Sequence, residues 1–448
     1  MQKQSGVHFY VNIMNYNAII VDEENRTHGV THAIHALDTF FTSIEKYGKK
    51  VSNTLVVEKI TGSRLHLYVV DDLIPAFDTV MKVSGYAEKL SRYLKTDIGK
   101  YKTLKDFHIN VGADYGDFYE FEFVTHEGYS ELTTIGFVAN FAAKLQALAG
   151  CGKVSISEKI YNALSPDKKR LFEMIDENSI KKYGQDKYYT ATITNIPSNE
   201  FEEELEAAKE YANSDNLKDI DFASVRKQLS FDEISKTQCK KLEGIPVFAD
   251  VRGFTQQFDD QDFNLDEMSI KTQNILESMY RVSTQHGGVH VQFQGDRELS
   301  LYHNVPSGTY NGITIAEKKC FKAAVLASMR MIDTVKPNKV HIGIGENFGT
   351  LYATKLGARG EKDNILLGET VIVADQMEDR YANEDQIVIT AEVFVGLKKE
   401  DEYLADQFKS FGGYYVATIG YDQYMRNISY RQAQKKTSSN AYNGAWGD

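Results

Sequence analysis

An aspartate at the end of an apolar run is the first residue of this chain whose position suggests chemistry. In GIPVFADVRGFTQQF, Ile245, Val247 and Ala249 alternate with Pro246 and Phe248, so the run reads as a buried strand that ends at Asp250. Gly253 then turns the chain, and Thr255 is placed to cap an amphipathic helix expected next. A carboxylate at a strand end beside free amides at a helix start suits a divalent metal carrying phosphates. A second acidic turn lies in VHVQFQGDRELSLY, where Gly295–Asp296 separates two strand-like runs. Two strands flanking one helix, with Asp250 and Asp296 at the same edge, form a two-metal phosphoryl-transfer constellation.

Other elements must hold that edge in place. Val7 to Ile20 reads as a strand, and Ala33, Leu37, Phe40, Phe41 and Ile44 recur at helical spacing. Strand-like runs at Thr54–Ile60 and Arg64–Val70 are split by Thr61–Gly62–Ser63. A helix around Pro75–Leu94, a strand Phe107–Gly112, a hairpin ending at Gly136 and an amphipathic helix Val138–Leu148 complete the first half. The second half repeats this order. Position 250 set against 12, 296 against 63 and 368 against 136 gives offsets of 238, 233 and 232. Near-constant spacing over three landmarks indicates an internal duplication. Strand–helix–strand–strand–helix–strand is the ferredoxin-like order, so the expected class is α+β with two such domains. The expected boundaries are 1–197 and 242–425, with 198–241 an acidic linker bearing exposed helices and 426–448 a disordered polar tail.

Composition excludes several classes. The 448 residues imply at least two domains, and 42% hydrophobic with 25% charged residues is ordinary for a globular protein. A net charge of -12 argues against a surface that tracks nucleic-acid phosphates, and so against a palm-type polymerase, which shares the strand-end carboxylates. Cys151, Cys239 and Cys320 show no metal or CxxC spacing, and His286, His290 and His303 show no paired ligand geometry. No signal peptide and no run of ~18 apolar residues is evident, so a cytoplasmic protein without membrane contact is expected.

On these motifs the sequence resembles the class III nucleotide cyclases, ferredoxin-like domains that work as head-to-tail pairs with active sites across the interface. Asp250-Val-Arg-Gly-Phe-Thr255 is similar to the family's first metal motif and Gly295–Asp296 to its second; HIGIGENFGTLYATKLG and ILLGETVIVADQME match later motifs less tightly. The resemblance spans about 7–193 and 245–421. It implies an intramolecular pseudo-twofold pair, able to act as a monomer, whose halves have divided the labour. The first half carries Asn12 and Ser63 where the second has its metal aspartates, and the second carries Ile372 and Gln376 where the first has Asn140 and Lys144. One working site and one degenerate site follow. The implied reaction is attack of a ribose 3′-hydroxyl on the α-phosphorus of a nucleoside triphosphate, with pyrophosphate leaving. Asp250, Asp296 and the Val251 carbonyl would hold two divalent ions, Mn²⁺ or Mg²⁺. Amides around Phe254 and Thr255 would cradle phosphates, Asn140 would orient the ribose, and Lys144 would meet charge on the α-phosphate in place of the family's arginine.

The family reads the base at two positions, here Lys59 and Thr133. Lys59 only donates hydrogen bonds, while Thr133 lacks the carboxylate that selects an amino group in adenylate cyclases. These departures resemble the pyrimidine cyclases of bacterial antiphage defence, the Pycsar systems. They imply CTP as substrate ahead of UTP and ATP, with cyclic CMP passed to a separate effector protein. A reading of a different class is a nucleotide-sensing pseudoenzyme.

Overall fold

The computed structural model describes residues 2–124, 130–195, 201–214, 221–224, 227–234, 238–253, 265–305, 307–310, 313–315, 319–358 and 363–431. The first strand, β1 (Gln2–Ile13), turns Val7, Phe9 and Val11 into an apolar core and leaves His8, Tyr10 and Asn12 on its other face. Tyr16–Ile20, expected to prolong that strand, is instead the first turn of α1 (Tyr16–Thr27). The amide of Asn15 explains the break: it donates to the Asp106 carbonyl at 2.7 Å while its oxygen accepts from the His108 amide at 2.9 Å. Next come α2 (Thr31–Val51), β2 (Leu55–Thr61), β3 (Arg64–Val69), α3 (Leu73–Asp97) and β4 (Ile109–Val124). β5 (Ser130–Ile135), α4 (Phe137–Leu148), β6 (Lys153–Ile156), α5 (Glu158–Ala163), α6 (Pro166–Lys169), β7 (Glu173–Asp176) and β8 (Lys187–Thr192) close the first half.

The sheet order is β2-β3-β1-β4-β6-β8-β7, with β5 on β4. Its first four strands are all antiparallel neighbours in the ferredoxin-like order, with α2 and α3 sealing the apolar face.

The second half is built alike. β9 (Asp221–Ser224) and the long β10 (Gln238–Val251) lead to α8 (Leu265–Gln285), β11 (Val289–Gln294) and β12 (Arg297–His303). After the small hairpin β13 (Gly308–Tyr310) and β14 (Ile313–Ile315) come α9 (Phe321–Val335), β15 (Ile342–Glu346), β16 (Gly349–Leu356) and β17 (Asp363–Leu367). α10 (Glu369–Gln376), β18 (Gln386–Ile389), α11 (Ala391–Glu400), α12 (Glu402–Ala405), β19 (Lys409–Phe411) and β20 (Tyr414–Ala417) finish it. The order β11-β12-β10-β15-β18-β20-β19 repeats that of the first sheet. Register repeats as well: Asn12 lies opposite Arg64 and Asn110, and Asp250 opposite Arg297 and Gly343. Two glycines let a helix ride directly on each sheet. A Cβ on Gly112 would sit 2.0 Å from the Gln146 amide nitrogen, and one on Gly345 2.3 Å from that of Glu378.

The two halves share cores. Tyr352, Leu356, Ile365 and Leu367 join the cluster under α2 and α3, while Phe123 and Ile135 join that of the second half. The acidic connection, expected as solvated helices, is not free of the fold. α7 (Glu202–Asn213) buries Leu205, Ala208 and Ala212, Lys50 pairs with Glu204 at 2.7 Å, and Tyr211 donates to Asp38 at 2.7 Å. A three-to-four spacing of small apolar residues hidden among glutamates makes this dock. Of the tail expected to be disordered over 426–448, 426–431 instead continues a helix, and 432–448 lie outside the described residues.

A fully buried acid lies in the second core. Glu346 accepts from the Ser328 hydroxyl at 2.6 Å, and burial pushes its carboxyl up to about 7. The folded chain therefore keeps a proton that the unfolded chain releases above about 4.5. This stability is present in full below that unfolded value and is lost as pH rises through about 7. Urea unfolding at pH 5 and pH 7.5 should show a loss on the order of 3 kcal/mol assignable to this residue. Glu346→Gln should remove that part of the slope.

Candidate active site

β10 delivers Asp250 to the sheet edge, opposite Arg297 of β12. The β11–β12 connection is the two-residue turn Gly295–Asp296, in which Gly295 takes a φ of 71°, a conformation that favours glycine. That turn sets Asp296 beside Asp250. Burial raises both carboxyls above their ordinary range, and the charge of Asp250 raises Asp296 further. Two acids held towards the neutral form by burial and mutual repulsion are what an incoming divalent cation relieves, and all-oxygen donors fit Mg²⁺ or Mn²⁺. The Asp250 side chain is 27% exposed, which leaves an approach. Val251, buried, closes the same strand; Phe254 and Thr255 lie outside the described residues.

Arginines balance this charge. Arg252 contacts Asp250 at 3.3 Å and Glu378 at 2.6 Å, and donates to the Glu378 and Ala382 carbonyls, both at 2.9 Å. It lies flat on Gly343, where any Cβ would overlap its guanidinium. Arg297 stacks over the Phe248 ring at 4.6 Å, meets Asp375 at 2.6 Å and pairs with Glu378. Glu378 comes within reach because α10 continues as a π-helical turn, Met377–Tyr381. Burial lifts its carboxyl to about 7 against the pull of Arg297.

The first half answers with amides. Asn12 donates to the Asn110 oxygen at 3.0 Å, as does Gln146 at 3.0 Å, and Asn110 donates to the carbonyls of Gln146 and Ala149 at 2.9 and 2.6 Å. This ladder occupies the register of Asp250, Gly343 and Glu378 and carries no charge.

Lys59 is not free to reach into an open pocket. It is buried, pairs with Glu131 and donates to the Phe293 carbonyl of β11 at 2.5 Å, three residues before Asp296. Burial draws its ammonium down to about 8, against the raising influence of Glu58, Asp363 and Glu298. Glu131 also accepts from the Phe293 amide at 3.1 Å, so a base-reading candidate of one half is tied to the acidic turn of the other. Thr133 is buried with no hydrogen-bond partner for its hydroxyl among the described residues. Asn140 and Lys144 lie one turn apart, half-buried, on α4. Phe137, the first residue of that helix, packs into the core cluster that contains Ala249 and Val251.

The opposite site shows how such positions converge. Ser63, Gln292, Ile365 and Ile372, the counterparts of Asp296, Lys59, Thr133 and Asn140, line one cavity of about 140 Å³. That is well below the ~300 Å³ of a small ligand pocket, and its lining offers no carboxylate pair from the first half.

No family model matches the chain, and no curated protein matches it. Among solved structures, a class III adenylyl cyclase-like ATP-binding protein from Pseudomonas aeruginosa superposes with a TM-score of 0.68 at 16% identity, over 95% of this chain and 90% of that one. The fold is class III cyclase-like. The adenylyl cyclase CyaB from P. aeruginosa and the guanylyl cyclase Cya2 each align over 40% of this chain, covering 93% and 94% of their own, with TM-scores of 0.32 and 0.31 at 20% and 21% identity.

Sequence reasoning missed Glu131, Arg297 and Glu378. Glu131 could have been found by its two-residue spacing from Thr133 on one strand face, and Arg297 by its place directly after Asp296. Glu378 carries no such mark, because only the π-turn aims it. The Lys59–Glu131 pair makes a direct prediction. Either Lys59→Met or Glu131→Leu alone strands a buried charge and should cost about 3–5 kcal/mol in chemical denaturation, while the double variant should recover most of it.

Proposed function

We propose that this chain is a nucleotide cyclase with one working site, in which 1–197 and 242–425 act as a head-to-tail pair joined by 198–241. What carries the reading is the Lys59 ammonium on the Phe293 carbonyl, which joins first-half base-reading positions to the second-half strand that leads into the Asp296 turn. Asp250 and Asp296, with the Val251 carbonyl, would hold two divalent ions. Bound there, such ions would acidify the ribose 3′-hydroxyl and offset triphosphate charge. Asn140 orients the ribose, and Lys144 supplies positive charge where the α-phosphate gains it. Amides at Phe254 and Thr255 receive the outer phosphates. Arg252 keeps Asp250 aimed at the sheet edge.

The proposed substrate is a pyrimidine nucleoside triphosphate, CTP ahead of UTP. Thr133 offers no carboxylate to a purine amino group; to read a base, Lys59 would give up its contacts with Glu131 and Phe293, and its ammonium would then face the acceptor edge, O2 and N3, of cytosine. Adenine has a similar edge, so the product assay decides. The cyclic nucleotide would serve as a second messenger for a separate effector, as in the antiphage systems that the sequence resembles.

A second reading is nucleotide binding without turnover. It is favoured by Arg252, which already sits against Asp250, and by the name of the full-length fold neighbour, a cyclase-like ATP-binding protein.

Incubation with each of the four NTPs and Mn²⁺, followed by separation of products, should yield mainly cyclic CMP. Preferential cyclic AMP would sink the pyrimidine assignment, and tight NTP binding with no product would establish the second reading. Asp250→Ala and Asp296→Ala should each reduce turnover by about 1000-fold. Asn140→Ala and Lys144→Ala should each lower kcat by about 100-fold, with Lys144→Arg retaining activity.

A further inference from the structure

His8, Glu58 and His66 come from three adjacent strands and meet on the face of the first sheet away from α2 and α3. All three are buried, and one potential ligand atom from each lies within 4.8 Å of the other two. His8 Nδ1 is 3.0 Å from His66 Nε2, close to the spacing of two ligands on one small ion. On the other side of the His66 ring, Nδ1 is 3.1 Å from the Glu58 carboxylate. Glu58 is itself fixed by the Thr134 backbone amide at 3.1 Å and by the Thr134 hydroxyl. It reaches inward because β2 carries a bulge between Val57 and Lys59.

Aromatic rings lock the imidazoles. Tyr10 stacks on His66 with centroids 4.1 Å apart and planes at 11°, and Phe118 meets His8 edge-on at 4.3 Å. The hydrogen-bonded chain still leaves one need unmet. His8 Nε2 is buried with no partner among the described residues.

The repeat shows that the fold does not require these residues. Their register counterparts in the second half are Pro246, Val291 and Leu299, of which Val291 and Leu299 belong to an apolar cluster. Burying two imidazoles and a carboxylate where aliphatic side chains would serve is costly unless every polar atom is paired, and His8 Nε2 is unpaired among the described residues.

We propose that His8, Glu58 and His66 form a binding site for a first-row transition metal of the Zn²⁺ class. Two imidazole nitrogens and one carboxylate suit such an ion and not Mg²⁺. Binding the ion would exchange the contacts of Glu58 with His66 Nδ1 and Thr134 for a metal–oxygen bond, while the aromatic rings keep both imidazoles in place. Enclosure by Tyr10 and Phe118 makes the ion structural, pinning three strands of the half that lacks metal aspartates. The site is independent of the cyclase reading and of Asp250 and Asp296.

The test uses the full chain, stripped with a chelator and titrated with Co²⁺ as a spectroscopic stand-in. The expected result is one equivalent of Co²⁺ with the visible absorption of a nitrogen-ligated ion, displaced by Zn²⁺. It should persist in Asp250→Asn/Asp296→Asn and vanish in His8→Gln and in His66→Gln. X-ray absorption on Zn²⁺-loaded wild-type protein should show outer-shell scattering from two imidazoles, a readout that does not depend on either variant folding. Absence of stoichiometric Co²⁺ binding to the wild-type chain would overturn the proposal. So would a Zn²⁺ spectrum without imidazole scattering, or binding lost only with the two aspartates.

Discussion

Two ionised carboxylates side by side at a buried strand end call for positive charge to meet them, and much of the second half answers that constraint. Arg252 and Arg297 supply fixed cations, and their own burial calls for further acids, Glu378 and Asp375. Gly343 stays bare so that a guanidinium can lie on it. The helix after the last glycine motif opens into a π-turn, which brings Glu378 between the arginines. Each step follows from the charge balance of the one before.

The first half resolves the same geometry without charge. Its strand end, central strand and helix carry Asn12, Asn110 and Gln146, whose amides satisfy one another. An amide ladder needs no counterion, so this half carries no acid pair at its strand end and spends its buried polarity elsewhere. Some of that polarity goes into the seam between the halves. Lys59, Glu131 and the backbone of Phe293 bind the two sheets through charge-assisted hydrogen bonds, which fix relative orientation more sharply than apolar packing does.

Much of this was legible in the sequence, and the parts that were not have physical reasons. Period-two alternation around Asp250 and the glycine turn at Gly295 announced the acidic edge because both are local signals. The duplication was legible because register is conserved by counting, and it anticipated both sheets. The break after Ile13 was hidden because it depends on Asn15 bonding to residues some ninety positions away. The docking of α7 was masked by its glutamates. Lys59 looked like a free donor, since nothing local reveals that a partner strand waits across the seam. His8, Glu58 and His66 are too scattered in sequence for any spacing rule to join them.

Once the halves differ, association becomes a sorting problem. Free copies of two unlike subunits could pair in three ways, and two of those three would bring together like with like. A pair of charged halves would lack the asparagine helix, and a pair of amide halves would lack the acids. The connection through α7, clamped to the first half by Lys50 and Tyr211, raises the local concentration of the correct partner to the millimolar range. The covalent link thus protects a specialisation that free exchange of subunits would dilute.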